Sequence, residues 1–425
     1  MAAPLDHLAV FGLGKLGACI AATLAARGCR VLGVDVDPEK VRRINAGEAP
    51  VDEPLLPETL REAGSRLRAT MEPVEAVEAD ASFYIPPSPS LPDGSFSTEF
   101  LVRAMTPMAR ALRDAGRRGH LFVVNSTTTP GAMQEVIRPL LERETGWTCG
   151  RDFGLCYNPE FIALGNVIRG LLEPDLVLIG ESDPESGGRL EALYRRYNTN
   201  RPAIERMSLT SAELAKISVN SFITMKISFT NQLRLLAGRL PEADIHAILA
   251  AIGSDSRIGA KYLRAGLSYG GPCFPRDNRL VAHTARRLGL EAPLAEATDR
   301  VNELARADLL EQVLLANPGA STIGILGMAY RPNTAIVEES AGLDLAQRLR
   351  QRGLRVLVHD VQAGPANCPD LRAFECFDSV DALLQDPHLG AVILCCPWPA
   401  YRGLRLPPGV AAVDPWGVLE PADAD

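Results

Sequence analysis

A chain of 425 residues is too long for one ordinary core, so two or three domains are expected. Hydrophobic residues make up 46% and charged residues 23%, the balance of a globular protein rather than a disordered one. The formal net charge of −8 argues against a general nucleic-acid grip, so an anionic ligand must meet cations gathered in one site. No run approaches the roughly 18 to 20 apolar residues of a membrane span. The opening MAAPLDHLAVFG lacks the basic stretch and apolar core of a secretory signal. The nine cysteines are odd in number and scattered, with no metal-ligand spacing. They read as reduced, mostly core residues of a cytoplasmic protein with no membrane partner and no metal.

Taken in chain order, Leu8–Phe11 reads as a strand, Gly12–Gly17 as a turn, Ala18–Arg27 as a helix ended by Gly28, and Arg30–Val34 as a second strand closing at Asp35. Further strands are expected at Ser82–Ile85, Leu121–Val124 and Asp175–Ile179, and Pro86–Pro92 reads as a rigid proline-rich loop walling the first site. Helical periodicity from Leu209 to about Gly238 predicts a long helix followed by shorter ones. The opening pattern then returns: strand Thr322–Leu326, helix Ala341–Gln351 closed by Gly353, strand Arg355–Val358, and later strands at Ala391–Cys395 and Val410–Val413. The expected fold is α/β, with two Rossmann-like parallel-sheet domains joined by a long central helix and a small helical domain. The expected boundaries are residues 1–205, 206–305 and 306–425, with a loose tail after Glu420.

Gly12-Leu-Gly-Lys-Leu-Gly17 follows a strand and opens a helix, and Asp35 ends the next strand. Glycines there permit a tight turn, close approach of pyrophosphate to backbone, and close helix packing. A helix N-terminus favours the phosphates. Asp35 would bind the adenosine ribose hydroxyls and repel a 2′-phosphate, which selects NAD over NADP. The second β-α-β unit has Gly327 but no such triplet, so it is expected to bind another phosphate-bearing ligand. Gly270-Gly-Pro-Cys-Phe-Pro-Arg-Asp277 puts a thiol in a tight turn four residues before a carboxylate. Read alone, Cys273 is either a buried structural cysteine or a nucleophile.

Ordered blocks extend this pattern along the chain. They are Asp35 to Gly47 with Lys40, Pro87-Ser-Pro89, Ser126-Thr127 with Pro130-Gly131, Asn158-Pro-Glu-Phe161 and Pro174-Asp175. After these come Ala212-Glu-Leu-Ala-Lys216 with Asn220, Lys226-Ile-Ser-Phe229, Arg257-Ile-Gly259 and Leu326-Gly-Met-Ala-Tyr-Arg-Pro-Asn-Thr334. In this order the chain resembles the UDP-glucose/GDP-mannose dehydrogenase family from residue 8 to about 420. The resemblance implies oxidation of a nucleotide sugar at C6 by two molecules of NAD in turn, UDP-glucose to UDP-glucuronate being the leading case. Cys273 would capture the aldehyde as a thiohemiacetal and carry the thioester. Lys216 and Asn220 would stabilise the oxyanion, Asp277 would act as base or hold a water, and Glu160 and Thr127 would serve the hydrolytic water. Gly12, Gly14, Lys15, Leu16, Gly17, Asp35, Lys40, Pro87, Ser88, Ser126, Thr127 and Arg276 would hold NAD. Phe161, Ile162, Lys216, Asn220, Tyr330 and Arg331 would contact the substrate. Tyr262 and Leu263 would cover the nucleotide, and Gly270 and Gly271 would admit the sugar. Arg257 would reach the substrate of a neighbouring subunit across a homodimer built on the central helix.

Departures from the family pattern bear on substrate and cofactor. A second Glu after Asn158-Pro-Glu-Phe161 is replaced by Leu164, an Arg after Pro174-Asp175 by Leu176, and a Lys before Asp277 by Arg276. Ala335-Ile-Val-Glu338-Glu339-Ser340 puts Glu338 where the family has an arginine for NAD phosphates, implying weaker or differently held NAD, or a different substrate. UDP-N-acetylhexosamine, GDP-mannose or dTDP-glucose would undergo the same chemistry. A two-electron dehydrogenase resembling the 6-phosphogluconate or 3-hydroxyacyl-CoA enzymes would need no nucleophilic cysteine, and a catalytically silent sugar-nucleotide-binding paralogue would yield no NADH.

Overall fold

Short apolar runs rich in Val, Ile and Leu become strands buried on both faces, as a parallel sheet covered by helices requires. The computed structural model describes residues 4–162 and 164–419, and the expected tail after Glu420 lies outside the described residues. Two compact units divide between Ile217 and Ser218.

The first unit is built on strands His7–Phe11 (β1), Arg30–Val34 (β2), Leu67–Thr70 (β3), Ala81–Tyr84 (β4), Leu121–Val124 (β5), Gly154–Tyr157 (β6), Leu176–Glu181 (β7) and Ala203–Ser208 (β8). They lie in one sheet in the order β3-β2-β1-β4-β5-β6-β7-β8. The first six are parallel in the dinucleotide-binding order. β7 turns antiparallel to β6, and β8 runs parallel to β7. Alternate residues of β1 face opposite cores: Leu8 and Val10 join the one containing the helix Lys15–Ala26, Ala9 and Phe11 the other.

The second unit repeats this plan in smaller form. Strands Thr322–Leu326 (β9), Arg355–His359 (β10), Glu375–Cys376 (β11), Leu389–Leu394 (β12) and Ala411–Val413 (β13) form an all-parallel sheet in the order β11-β10-β9-β12-β13. It too has a core on each face. Gly342 repeats the packing of Gly17: a Cβ on Gly17 would lie 1.8 Å from the Gly12 carbonyl oxygen, and one on Gly342 would lie 2.6 Å from that of Gly327. Residues 328–341 separate the second pair, where only four residues separate the first, so the repeat is invisible as a sequence motif. Asp360 takes the place of Asp35 at the end of the second strand. Its Oδ2 accepts from Met328 N (2.7 Å), Ala329 N (2.9 Å) and Trp398 Nε1 (3.2 Å), and its Oδ1 from Gln362 N (2.9 Å) and Ala363 N (2.8 Å).

The long helix is Leu209–Ala237, and its burial pattern inverts the usual amphipathic one. Glu213, Lys216, Asn220, Thr224, Ser228 and Asn231 are buried, whereas Phe222, Phe229 and Leu236, spaced by seven, are more than half exposed. Two of the buried polar groups bond across to other elements: Ser228 Oγ donates to the Thr298 carbonyl (2.9 Å) and Asn231 Nδ2 to that of Leu267 (3.0 Å). No helix among the described residues is long and apolar enough to cross a membrane.

The expected elements are found to within a few residues, but β3, β6, β8, β11 and several helices were not expected, among them Glu99–Asp114, Pro184–Tyr197, Phe274–Arg287 and Pro293–Ala316. β8 reads Ala-Ile-Glu-Arg-Met-Ser with no fully buried position, because it is the sheet's edge. Pro107, a residue that usually ends a helix, lies inside Glu99–Asp114. The expected boundary after 205 falls inside β8, and the one after 305 falls inside Pro293–Ala316.

Candidate active site

In the first unit the three glycines of the turn divide the work. Gly12 has φ +95° and packs against the backbone where Ile85 meets Pro86; Gly14 caps the helix Lys15–Ala26 with nothing within 4 Å of where its Cβ would be; Gly17 lets that helix close onto the turn. The vacant Cβ position at Gly14 and the helix N-terminus behind it, with Lys15 and Leu16 half-buried in its first turn, form a cradle that fits a pyrophosphate. Asp35 is buried at the end of β2, where Oδ2 accepts from Leu13 N at 2.6 Å and from Lys40 Nζ at 3.4 Å. Ser126 Oγ donates to the Pro86 carbonyl at 2.5 Å, tying the loop after β5 to the proline-rich wall that continues through Pro87 and Ser88. These groups fit NAD.

Glu160 follows β6. Tyr194, on the helix Pro184–Tyr197, donates to Asn158 Oδ1 at 2.5 Å and lies 3.3 Å from Glu160 Oε1. Burial pushes the Glu160 carboxyl up to about 7, against the opposing hydrogen bond from Tyr194 and the charge of Lys216. Lys216 is itself buried, its Nζ 4.8 Å from the centre of the Phe161 ring. Leu164, at the position of the family's second Glu, packs with Ile162 against the core on the helix Lys15–Ala26 face of the sheet. Glu53 holds the next stretch through Gly165 N (3.1 Å) and Val167 N (2.9 Å). Glu53 and Tyr194 are not among the sequence-predicted site residues, and Asn158 was named only within its block without a role; the partners of all three lie far away in the chain.

In the second unit Cys273 caps the helix Phe274–Arg287 and is exposed, whereas seven of the other eight cysteines are buried and Cys376 is half-buried. Cys273 is therefore not a core residue. The N-terminal end of a helix favours negative charge, as a thiolate nucleophile requires. Asp277 lies one turn on, 3% exposed, and its Oδ2 accepts from Asn220 Nδ2 at 2.6 Å. Asn220 was expected to donate to a substrate oxygen, but here one of its amide hydrogens is committed to Asp277. Arg276, in the same turn, is half-buried.

The glycines of the cysteine loop are required by the protein itself. A Cβ on Gly270 would meet the Glu339 carbonyl oxygen at 2.1 Å, and one on Gly271, whose φ is +81°, would meet the Tyr330 ring at 2.5 Å. Glu339, at φ +53°, is fastened by Arg279 (2.8 Å) and Arg306 (3.3 Å), while Glu338 is exposed. Tyr262 is exposed with φ +65°, a strained conformation for a tyrosine, and Leu263 beside it is half-buried. Arg331 is half-buried next to Tyr330. For Arg257, 87% of the side chain is exposed, and it pairs with Asp255 at 2.6 Å.

Comparison with known proteins bears on the same residues. The models of the UDP-glucose/GDP-mannose dehydrogenase family match in three stretches: its NAD binding domain over residues 6–198, its central domain over 210–304 and its UDP binding domain over 324–421. A GDP-mannose 6-dehydrogenase from Pseudomonas putida is 33% identical over 359 residues, spanning 83% of this chain and 80% of that protein. A UDP-glucose 6-dehydrogenase from Haloferax volcanii is 33% identical over 360 residues, 83% of each. The solved structure of a UDP-glucose dehydrogenase from Pyrobaculum islandicum superposes with a TM-score of 0.89 at 35% identity, covering 97% of this chain and 95% of that one.

Proposed function

We propose, on the premise that this chain belongs to the UDP-glucose/GDP-mannose dehydrogenase family of NAD-dependent nucleotide-sugar 6-dehydrogenases, that it oxidises the C6 hydroxymethyl of a nucleotide sugar to a carboxylate through a thioester on Cys273. UDP-glucose is the leading substrate, supported by the match of residues 324–421 to a UDP binding domain. The same chemistry on GDP-mannose is the alternative, since relatives with either specificity are equally similar.

The observation that carries this reading is the exposed thiol of Cys273 at a helix N-terminus, one turn before a buried Asp277 fixed by Asn220. NAD, when bound, supplies the hydride acceptor for both two-electron oxidations. The residues of the chain do the rest. Lys216 neutralises the oxygen on C6 as the alcohol loses its proton to Asp277 or to a water that Asp277 holds, and again in each tetrahedral adduct. The Cys273 sulfur bonds to the aldehyde carbon, and the resulting thiohemiacetal is oxidised to a thioester without release of the aldehyde. Water on Thr127, its proton taken by Glu160, displaces the sulfur and yields the acid and the free thiol. Each acid formed therefore accompanies two NADH.

Dimerisation through the long helix is part of this reading. The exposed Phe222, Phe229 and Leu236 stripe offers a second copy an apolar seam, and exposed Arg257 is available to such a neighbour.

The test is incubation with NAD and a panel of UDP-, GDP- and dTDP-sugars, with NADH followed optically and products identified by mass. A two-to-one ratio of NADH to acid is expected, and Cys273→Ser should abolish acid formation. Undiminished acid from Cys273→Ser would overturn the mechanism, and no NADH from any sugar would overturn the function.

A further inference from the structure

The segment Ser126–Met133, which follows β5, is buried at seven of its eight residues; Thr127 alone is half-exposed. Such a segment has little contact with water to satisfy its backbone, so protein groups must do so. Glu213 supplies part of what is needed, beside the Tyr84 and Thr129 carbonyls that accept from Ser126 N and Ala132 N. Its side chain is fully buried, Oε1 accepts from Thr128 Oγ1 at 2.8 Å and Met133 N at 3.0 Å, and Oε2 accepts from Gly131 N at 2.8 Å. Gly131 and Met133 open the helical stretch Met133–Thr145, where backbone N–H groups lack partners within the helix. Glu213 sits three residues before Lys216 in the long helix. One carboxylate thus ties the loop that presents Thr127 to the helix turn that carries Lys216.

We propose that Glu213 is a positioning residue for the hydrolytic step, holding Thr127 in register with Lys216 so that the water attacking the thioester is correctly placed. This rests on the thioester reading above. Three charge-assisted or backbone hydrogen bonds fix the loop in direction as well as distance, and a glutamine in its place would turn an NH2 group toward an N–H or O–H donor.

The experiment follows acid release, NADH formation and covalent enzyme–substrate adduct by intact mass, in the wild-type protein and in Glu213→Gln, Thr127→Ala and the double variant. A misplacement of this kind costs up to about 10²-fold in rate. Glu213→Gln is expected to slow acid release by about that factor, with adduct accumulating. The double variant should be no slower than Thr127→Ala alone, because Glu213 acts through Thr127. Multiplying defects, or slow turnover without adduct, would overturn the proposal. Thr128→Val removes one of the three bonds at nearly constant shape, so it reports even where Glu213→Gln fails to fold. It should give a smaller defect in the same step, and normal hydrolysis in a folded Thr128→Val would count against the role. Adduct in the wild type together with additive variants would reject only the positioning role. Undiminished acid from Cys273→Ser would reject the reading beneath it.

Discussion

A carboxyl group that ionises only near pH 7 can both keep and accept a proton within one catalytic cycle, and that is the condition of Glu160. The same shift carries a stability cost with a defined sign. The folded state holds the proton more tightly than the unfolded chain, so stability falls as pH rises from the ordinary carboxyl range through about 7. Glu160→Gln should remove that slope and raise the melting temperature above pH 7, by an amount corresponding to at most about 3 kcal/mol. It should also slow hydrolysis by roughly 10²-fold. In the wild type, thioester should accumulate below pH 7, where Glu160 is protonated and cannot take the proton of water. An unchanged pH–stability profile in the glutamine variant would contradict the assignment.

At the scale of the element, the glycine turn separates packing from ligand approach. Gly14 faces open space and Gly17 faces the Gly12 carbonyl oxygen at 1.8 Å. Gly14→Ala should therefore melt within about 0.5 kcal/mol of wild type while raising KM for NAD several-fold, since surface changes rarely alter stability more than that. Gly17→Ala should destabilise the first unit by about 1–3 kcal/mol, because helix and turn must separate to admit a methyl group. Differential scanning fluorimetry and NAD titration of the two variants distinguish these effects; equal melting losses would refute the division of roles. The turn was legible in the sequence because all its parts lie within 25 residues. The holding groups Glu213, Glu53, Tyr194 and Glu339 were not, because each meets partners dozens of residues away and looks like an ordinary helix or loop polar residue.

For the molecule as a whole, both sheets were anticipated from recurring strand–turn–helix patterns, and the long helix from its periodicity. The antiparallel turn at β7, the edge strand β8 and the helix Pro293–Ala316 were not, since edge strands and long helices with polar burial carry weak apolar periodicity. The helix Leu209–Ala237 was legible as an element but not in its facing: its apolar stripe suggests a core-facing side, yet the side packed within the protein is the polar one. That inversion supports self-association. Phe229→Asp should lower the mass measured by light scattering from dimer to monomer, whereas a wild-type protein already monomeric would contradict the proposed seam.

The filled carboxylate of Asp360 has a consequence for timing. Five donors from its own unit occupy the counterpart of Asp35, the carboxylate proposed to meet a ribose in the first unit. On the proposed thioester reading, a chain with one dinucleotide cradle among its described residues must discharge its first reduced cofactor and admit a second in mid-cycle. The sugar would meanwhile stay tethered to Cys273, so the reaction would proceed as two sequential visits to one seat.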